Sequence, residues 1–183
     1  MFVCAGNNET FPFATPIGVG LIESAMNLTR LALFHKPEFL IFIGSAGSYG
    51  KHKIFDIVES SIGANIELSF LENKAYTPID NVIEAYQQEI VSRETMQIVN
   101  SSNYISTDFT LVQGYRKHGI ELENMEFYSV LKISQEYNIP VLGIFIITNY
   151  CDTNAHDEFI NNHNRAKKIL MQYVTDKYKE LKK

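Results

Sequence analysis

Phe39-Leu40-Ile41-Phe42-Ile43-Gly44-Ser45-Ala46-Gly47 is apolar at every position until it meets a small, polar end bracketed by glycines. A strand with no polar face is covered on both sides, which places this run in the interior of a parallel sheet. Upstream, Val19, Ile22, Met26, Thr29 and Leu33 recur at intervals of three and four, the stripe of an amphipathic helix that Pro37 closes. Downstream, Pro140 starts a second fully apolar run, Val141-Leu142-Gly143-Ile144-Phe145-Ile146-Ile147, which ends in Thr148-Asn149. Phe159, His163, Ala166, Leu170, Tyr173 and Val174 mark a long C-terminal helix, and Phe127, Val130, Leu131 and Ser134 form one face of a helix over roughly 123–137. Nearer the start, the apolar runs Met1 to Ala5 and Thr10 to Ala14 flank Gly6-Asn7-Asn8-Glu9 and read as a β-hairpin. The polar stretch from Glu72 to about Ile105 reads as loop plus a helix near Asn81 to Val91.

Helices alternating with buried strands predict an α/β fold: a single layered domain over residues 1–183, with a central mixed, largely parallel sheet flanked by helices. Ligands in such sheets collect outside the carboxyl ends of the strands. Gly44-Ser45-Ala46-Gly47 and Thr148-Asn149 are therefore expected side by side.

Composition narrows the classes of function. With 183 residues, 45% of them hydrophobic, the chain can bury one substantial core. A net charge of -5 with dispersed basic residues argues against a nucleic-acid partner. The cluster Lys177, Lys179, Lys182 and Lys183 alternates with acids and reads as a solvated helix end. No run approaches a membrane span, and the first residues lack the charged flank and long apolar run of a signal peptide, so a cytoplasmic protein is expected. Cys4 and Cys151 form no metal or redox motif and read as core thiols. Cys151, Asp152, His156, Asp157 and His163 fit no common zinc spacing; helix start and packing account for them, and no metal is expected. The segment Gly44 to Gly50 lacks both the Lys-Ser/Thr end of a phosphate loop and the dinucleotide fingerprint, and the chain has no Gly-x-Ser-x-Gly elbow.

Three segments resemble the nucleoside phosphorylase family, which includes the methylthioadenosine nucleosidases. The first runs from Gly18-Val19-Gly20 through His35-Lys36-Pro37-Glu38 to Phe42-Ile43-Gly44-Ser45-Ala46-Gly47. The second, Glu123-Asn124-Met125-Glu126-Phe127, resembles the family's Val-Glu-Met-Glu-Ala, and the third, Ile147-Thr148-Asn149-Tyr150-Cys151-Asp152, its Ile-Ser-Asp-x-x-Asp. Order and approximate spacing agree with the family after Ala14.

The resemblance implies a nucleoside phosphorylase-like fold and a purine nucleoside site. Glu126 would accept from both ribose hydroxyls while Met125 packs on the sugar. Phe109 would lie against the base, Ala46 and Thr148 would also bind the substrate, and Ser45 with Gly44 and Gly47 would form the phosphate side. Asn149 stands where nucleosidases carry Asp. An amide can give an N–H to purine N7 and stabilise charge on the leaving base, which implies a 6-oxopurine of inosine or guanosine type. The implied activity is a purine nucleoside phosphorylase, catalysed by Asn149 and Glu126, with phosphate as co-substrate, no other cofactor, and a homo-oligomeric assembly.

Departures keep two alternatives open. The family's first strand, whose loop carries phosphate ligands or a catalytic acid, has no evident counterpart. Phe42 stands where phosphorylases often place Arg, Asn124 replaces the first Glu of Glu-Met-Glu, and Arg93, Arg116 or a neighbouring subunit would have to supply positive charge. A nucleosidase using water on futalosine or a related nucleoside fits these departures, as does a non-catalytic nucleoside-binding protein.

Overall fold

The computed structural model describes residues 1–86 and 97–178. Two strands form its spine. β3 (Leu40–Ser48) and β9 (Val141–Tyr150) run parallel from Leu40 opposite Val141 to Ala46 opposite Ile147. The ladder then slips by one residue, so Thr148 is extra on β9 and Gly47 lies opposite Asn149. On its other side β3 pairs in parallel with β1 (Phe2–Cys4) at its start and antiparallel with β8 (Ile120–Asn124) at its end. β2 (Thr15–Pro16) lies beside β1, and β4 (Ile57–Ser60) beside β9. β7 (Ile98–Ser101), β5 (Ile62–Ala64) and β6 (Val82–Glu84) extend the sheet beyond β8, making nine strands among the described residues. The pairings are mixed and mostly parallel, as the two apolar runs predict.

Alternation along β3 explains why it carries no polar face. Leu40 and Phe42 point into a core with Leu28, Phe127, Leu131 and Phe145, beneath α1 (Gly20–His35) and α4 (Phe127–Glu136). Ile41 and Ile43 point the other way, onto Ile144, Ile146, Leu170 and Val174 under α5 (Ala155–Lys177). A third cluster around Tyr49, Val112 and Tyr115 seats α3 (Phe109–Lys117).

Four expectations change. The segment after β1 is no hairpin: β2 pairs parallel to β1, and the Gly6–Glu9 turn is closed by a bond from the Glu9 N–H to the Gly6 carbonyl (2.8 Å). Val82–Glu84 is a strand rather than helix because it closes antiparallel on β5; positions 87–91 of the expected helix lie outside the described residues. Glu123 and Asn124 belong to β8, so α4 starts only at Phe127. Finally, α1 has the expected period on the opposite face. Its buried residues are Gly20, Ser24, Leu28 and Ala32, mostly small enough to let it close on α4, whereas Ile22 and Met26 are 69% and 63% exposed. Leu28→Ala is therefore expected to cost about 2–5 kcal/mol and Ile22→Ala under about 1 kcal/mol, by urea unfolding.

Candidate active site

The ends of β3, β8 and β9 meet the Gly6–Glu9 turn around a cavity of about 290 Å³, the lower end of small-ligand sites. Ser45, Ala46 and Gly47 form its floor, Met125 and Glu126 one wall, and Asn149 another. The three segments singled out by sequence thus converge on one hollow.

Glu126 is placed by two local devices. Asn124 Oδ1 accepts from the N–H groups of Glu126 and Phe127 (both 2.9 Å), which caps α4, and its Nδ2 donates to the Ser45 carbonyl (3.1 Å). Asparagine at this position is therefore a capping residue that ties β8 to β3. Across the cavity, Gly20 opens α1 at φ +82° and donates its N–H to Glu126 Oε1 (2.9 Å). A Cβ there would sit 2.8 Å from Asn103 Oδ1, which accepts from the Leu21 N–H (2.9 Å), so the glycine lets the helix start address both side chains. Burial pushes the Glu126 carboxyl up to about 7 against the Gly20 bond, with repulsion from Glu9 adding to the rise.

Glu9 supplies the carboxylate that sequence reasoning missed. The residue is part-exposed, but its carboxylate turns inward, and the Ser45 N–H (3.1 Å) and hydroxyl both donate to Oε1. Loss of water raises its pKa; the Ser45 bonds, His163 and Lys167 oppose the rise. The turn is anchored from α5, where His163 Nε2 (2.9 Å) and Lys167 Nζ (3.2 Å) reach the Asn8 carbonyl. A carbonyl only accepts, so Nε2 of His163 carries the proton. The acid-bearing loop expected to have no counterpart is thus present, directly after β1.

Asn149 is buried, with Oδ1 accepting from the Thr148 hydroxyl (2.9 Å) and one N–H given to the Tyr150 carbonyl (3.1 Å). That leaves its second N–H for a ligand. Thr148 does not line the cavity; its hydroxyl orients Asn149.

Other expected residues lie elsewhere. Phe109 is the first residue of α3, 48% exposed and packed by Gly50, outside the cavity, because Asp108 caps the helix there and turns it outward. The aromatic at the cavity is Tyr104, with Ile105, in the loop after β7. A lone aromatic just past the carboxyl end of a short buried strand was the available signal. Gly44 does not line the cavity either: it makes room for Glu9, whose Oε2 would lie 3.2 Å from a Cβ there. Phe42 is fully buried between Phe127 and Phe145. Arg116 lies 3.8 Å from Glu121, away from the cavity, and Arg93 lies outside the described residues. Cys151 is buried against Gly47, whereas His156 and Phe159 reach the cavity from α5.

Comparison with known proteins agrees with this architecture. A sequence model of the Phosphorylase superfamily matches residues 4–176. A 5'-methylthioadenosine/S-adenosylhomocysteine nucleosidase from Helicobacter pylori superimposes with TM-score 0.81 at 15% identity, over 98% of this chain and 97% of that one. Futalosine hydrolase of Helicobacter pylori gives 0.80 at 16% identity, over 95% and 94%. The 5'-methylthioadenosine/S-adenosylhomocysteine nucleosidase of Streptococcus pneumoniae gives 0.74 at 16% identity, over 93% and 94%. A search of curated proteins finds no match to the sequence. Among the described residues, no helix is long and apolar enough to cross a membrane.

Proposed function

The chain belongs to the phosphorylase superfamily, and from that premise we propose that it is a nucleoside hydrolase that releases a 6-oxopurine base using water. One observation carries this reading over the phosphorylase expected from sequence. The Glu9 carboxylate is bonded to Ser45, at the strand end where a phosphate would have to sit.

Electrostatics point the same way. Glu9, Glu123 and Glu126 line the cavity, and no lysine or arginine lines it among the described residues. An anion entering there meets like charge and no cationic fork, whereas water is neutral. The position that would carry a phosphate-binding arginine is Phe42, sealed in the core.

The proposed chemistry follows from the groups present. Glu9 accepts a proton from water as its oxygen bonds to ribose C1′ and the bond from C1′ to the base breaks. The electron pair of that bond goes to the purine, where the remaining N–H of Asn149 steadies negative charge at N7. Glu126 accepts from the ribose hydroxyls and Met125 packs on the sugar; both hold the nucleoside in line with the water. The departing base takes a proton from solvent as Glu9 returns its own, so the products are the free base and the free sugar. The likeness to a futalosine hydrolase supports futalosine as one substrate to try.

The test is base release from inosine and futalosine with and without phosphate. Equal rates are expected, with unphosphorylated sugar as product. Activity that appears only with phosphate, accompanied by a sugar phosphate, would overturn the proposal.

A further inference from the structure

α5 sends one stripe of side chains to the turn that carries Glu9: Phe159, His163 and Lys167, each four positions after the last. Phe159 reaches the cavity, and its ring packs against that of His163 with centroids 5.1 Å apart. Lys167 Nζ bonds the Thr10 hydroxyl (3.4 Å) as well as the Asn8 carbonyl, and it lies over the Phe11 ring at 5.7 Å. The Asn8 carbonyl thus accepts from both His163 and Lys167, one donor for each lone pair. Asn8 directly precedes Glu9. The turn needs outside support, because Gly6 and Asn7 are both left-handed, at φ +103° and +50°. A non-glycine residue in that region persists only where its surroundings hold it. Neither His163 nor Lys167 has an ion-pair partner among the described residues.

From this geometry we propose that His163 and Lys167 are positioning residues for the proton transfer, acting through the Asn8 carbonyl to hold the Glu9 carboxylate on Ser45. The inference rests on the hydrolase reading above and adds the groups that make its base competent. Neither residue touches the nucleoside; both act through Glu9. Without them the turn can shift, and a displacement of about 1 Å at a reacting group costs up to about 10²-fold in rate. Their charge has a second effect. Loss of water raises the Glu9 pKa, and the Ser45 bonds, then His163 and Lys167, oppose the rise. The other titratable groups around Glu9 are the Cys4 thiol of β1 and, about the cavity, Glu123, Glu126 and His156. Of these, Glu126 repels Glu9, so the two α5 residues are what offsets a like charge there.

The experiment compares kcat and KM for inosine in wild type and two double variants. His163→Leu with Lys167→Met removes both donors; His163→Gln with Lys167→Arg keeps an N–H at each position. The first is expected to lose about 10- to 10²-fold in kcat with KM within about threefold. Its Glu9 limb in the pH profile should move to higher pH, because the charges that favour the ionised form are gone. The conservative variant should return to within about threefold of wild-type kcat, since its donors can still reach the carbonyl. Ser45 supplies a readout that needs no turnover. Its N–H donates to Glu9 Oε1, so its amide exchange should quicken by about tenfold or more in the first variant while the rest of β3 stays protected. An unchanged Ser45 amide, an undiminished kcat, or equal loss in both variants would overturn the inference. Should the first variant fail to fold, Lys167→Met alone, at a half-buried position, is read in the same way. The hydrolase reading fails separately, through dependence on phosphate, and Ser45 exchange still decides whether the α5 pair seats Glu9.

Discussion

Glu9→Gln is expected to lower kcat for base release by about 10³-fold while leaving KM within a few-fold, the size of effect that removing a positioned general base produces. Glutamine preserves the shape of the side chain and its bond from Ser45, so the turn stays closed. What it cannot do is take a proton from water. The carboxylate sits over Ser45 in a place where loss of water makes it a stronger base than an exposed glutamate. Wild-type activity should therefore rise with pH as Glu9 ionises, and the variant should lose that contribution, keeping only the rise that Glu126 causes near pH 7. Steady-state kinetics from pH 5 to 8 checks both points. A variant with more than a tenth of wild-type kcat would remove Glu9 from the chemistry.

Glu126→Gln is the second large effect, expected to lower kcat/KM by about 10²–10³-fold, since charge-assisted bonds to two hydroxyls are at stake. This variant also tests the electrostatics of the fold. Burial holds the Glu126 carboxyl at about 7 in the folded chain, above its ordinary value of 4.5. The folded state then binds more protons than the unfolded one across that window, so stability falls as pH rises from 4.5 to about 7. For a shift of this size the stability at stake approaches about 3 kcal/mol, present below the window and lost above it. Glu9 and Glu123 are raised in the same direction and steepen the slope. Urea midpoints at pH 5 and pH 7.5 should differ clearly in wild type and distinctly less in Glu126→Gln. The glutamine variant should be the more stable of the two at the higher pH.

Both experiments turn on residues that differ in how visible they were. β3 and β9 were legible because a strand covered on both faces must be apolar throughout, a constraint that few other structures impose. Ser45, Met125, Glu126 and Asn149 followed from the family resemblance, and the strand-end rule brings them together. Glu9 was not legible. Gly-Asn-Asn-Glu is ordinary turn chemistry, and its carboxylate gains meaning only from Ser45, 36 positions away. The helical reading of Glu123 and Asn124 failed for a related reason: pairing with β3 and β7 overrides the local preference of those residues. On α1 the period was right and the phase wrong, because Gly20, Ser24 and Ala32 are buried for being small, a reason hydrophobicity does not register. Phe109 and Tyr104 sit five positions apart around the Asp108 cap, and only the direction in which α3 leaves the sheet tells them apart.

The clamp of His163 and Lys167 on the Asn8 carbonyl joins positions more than 150 apart in the chain. Contacts at such separations form late in folding, after shorter loops have closed. During refolding from urea, far-UV circular dichroism should therefore recover before the first turnover is seen. Catalytic competence would be the last property the chain acquires, since the proton acceptor is seated only once its two distant ends have found each other.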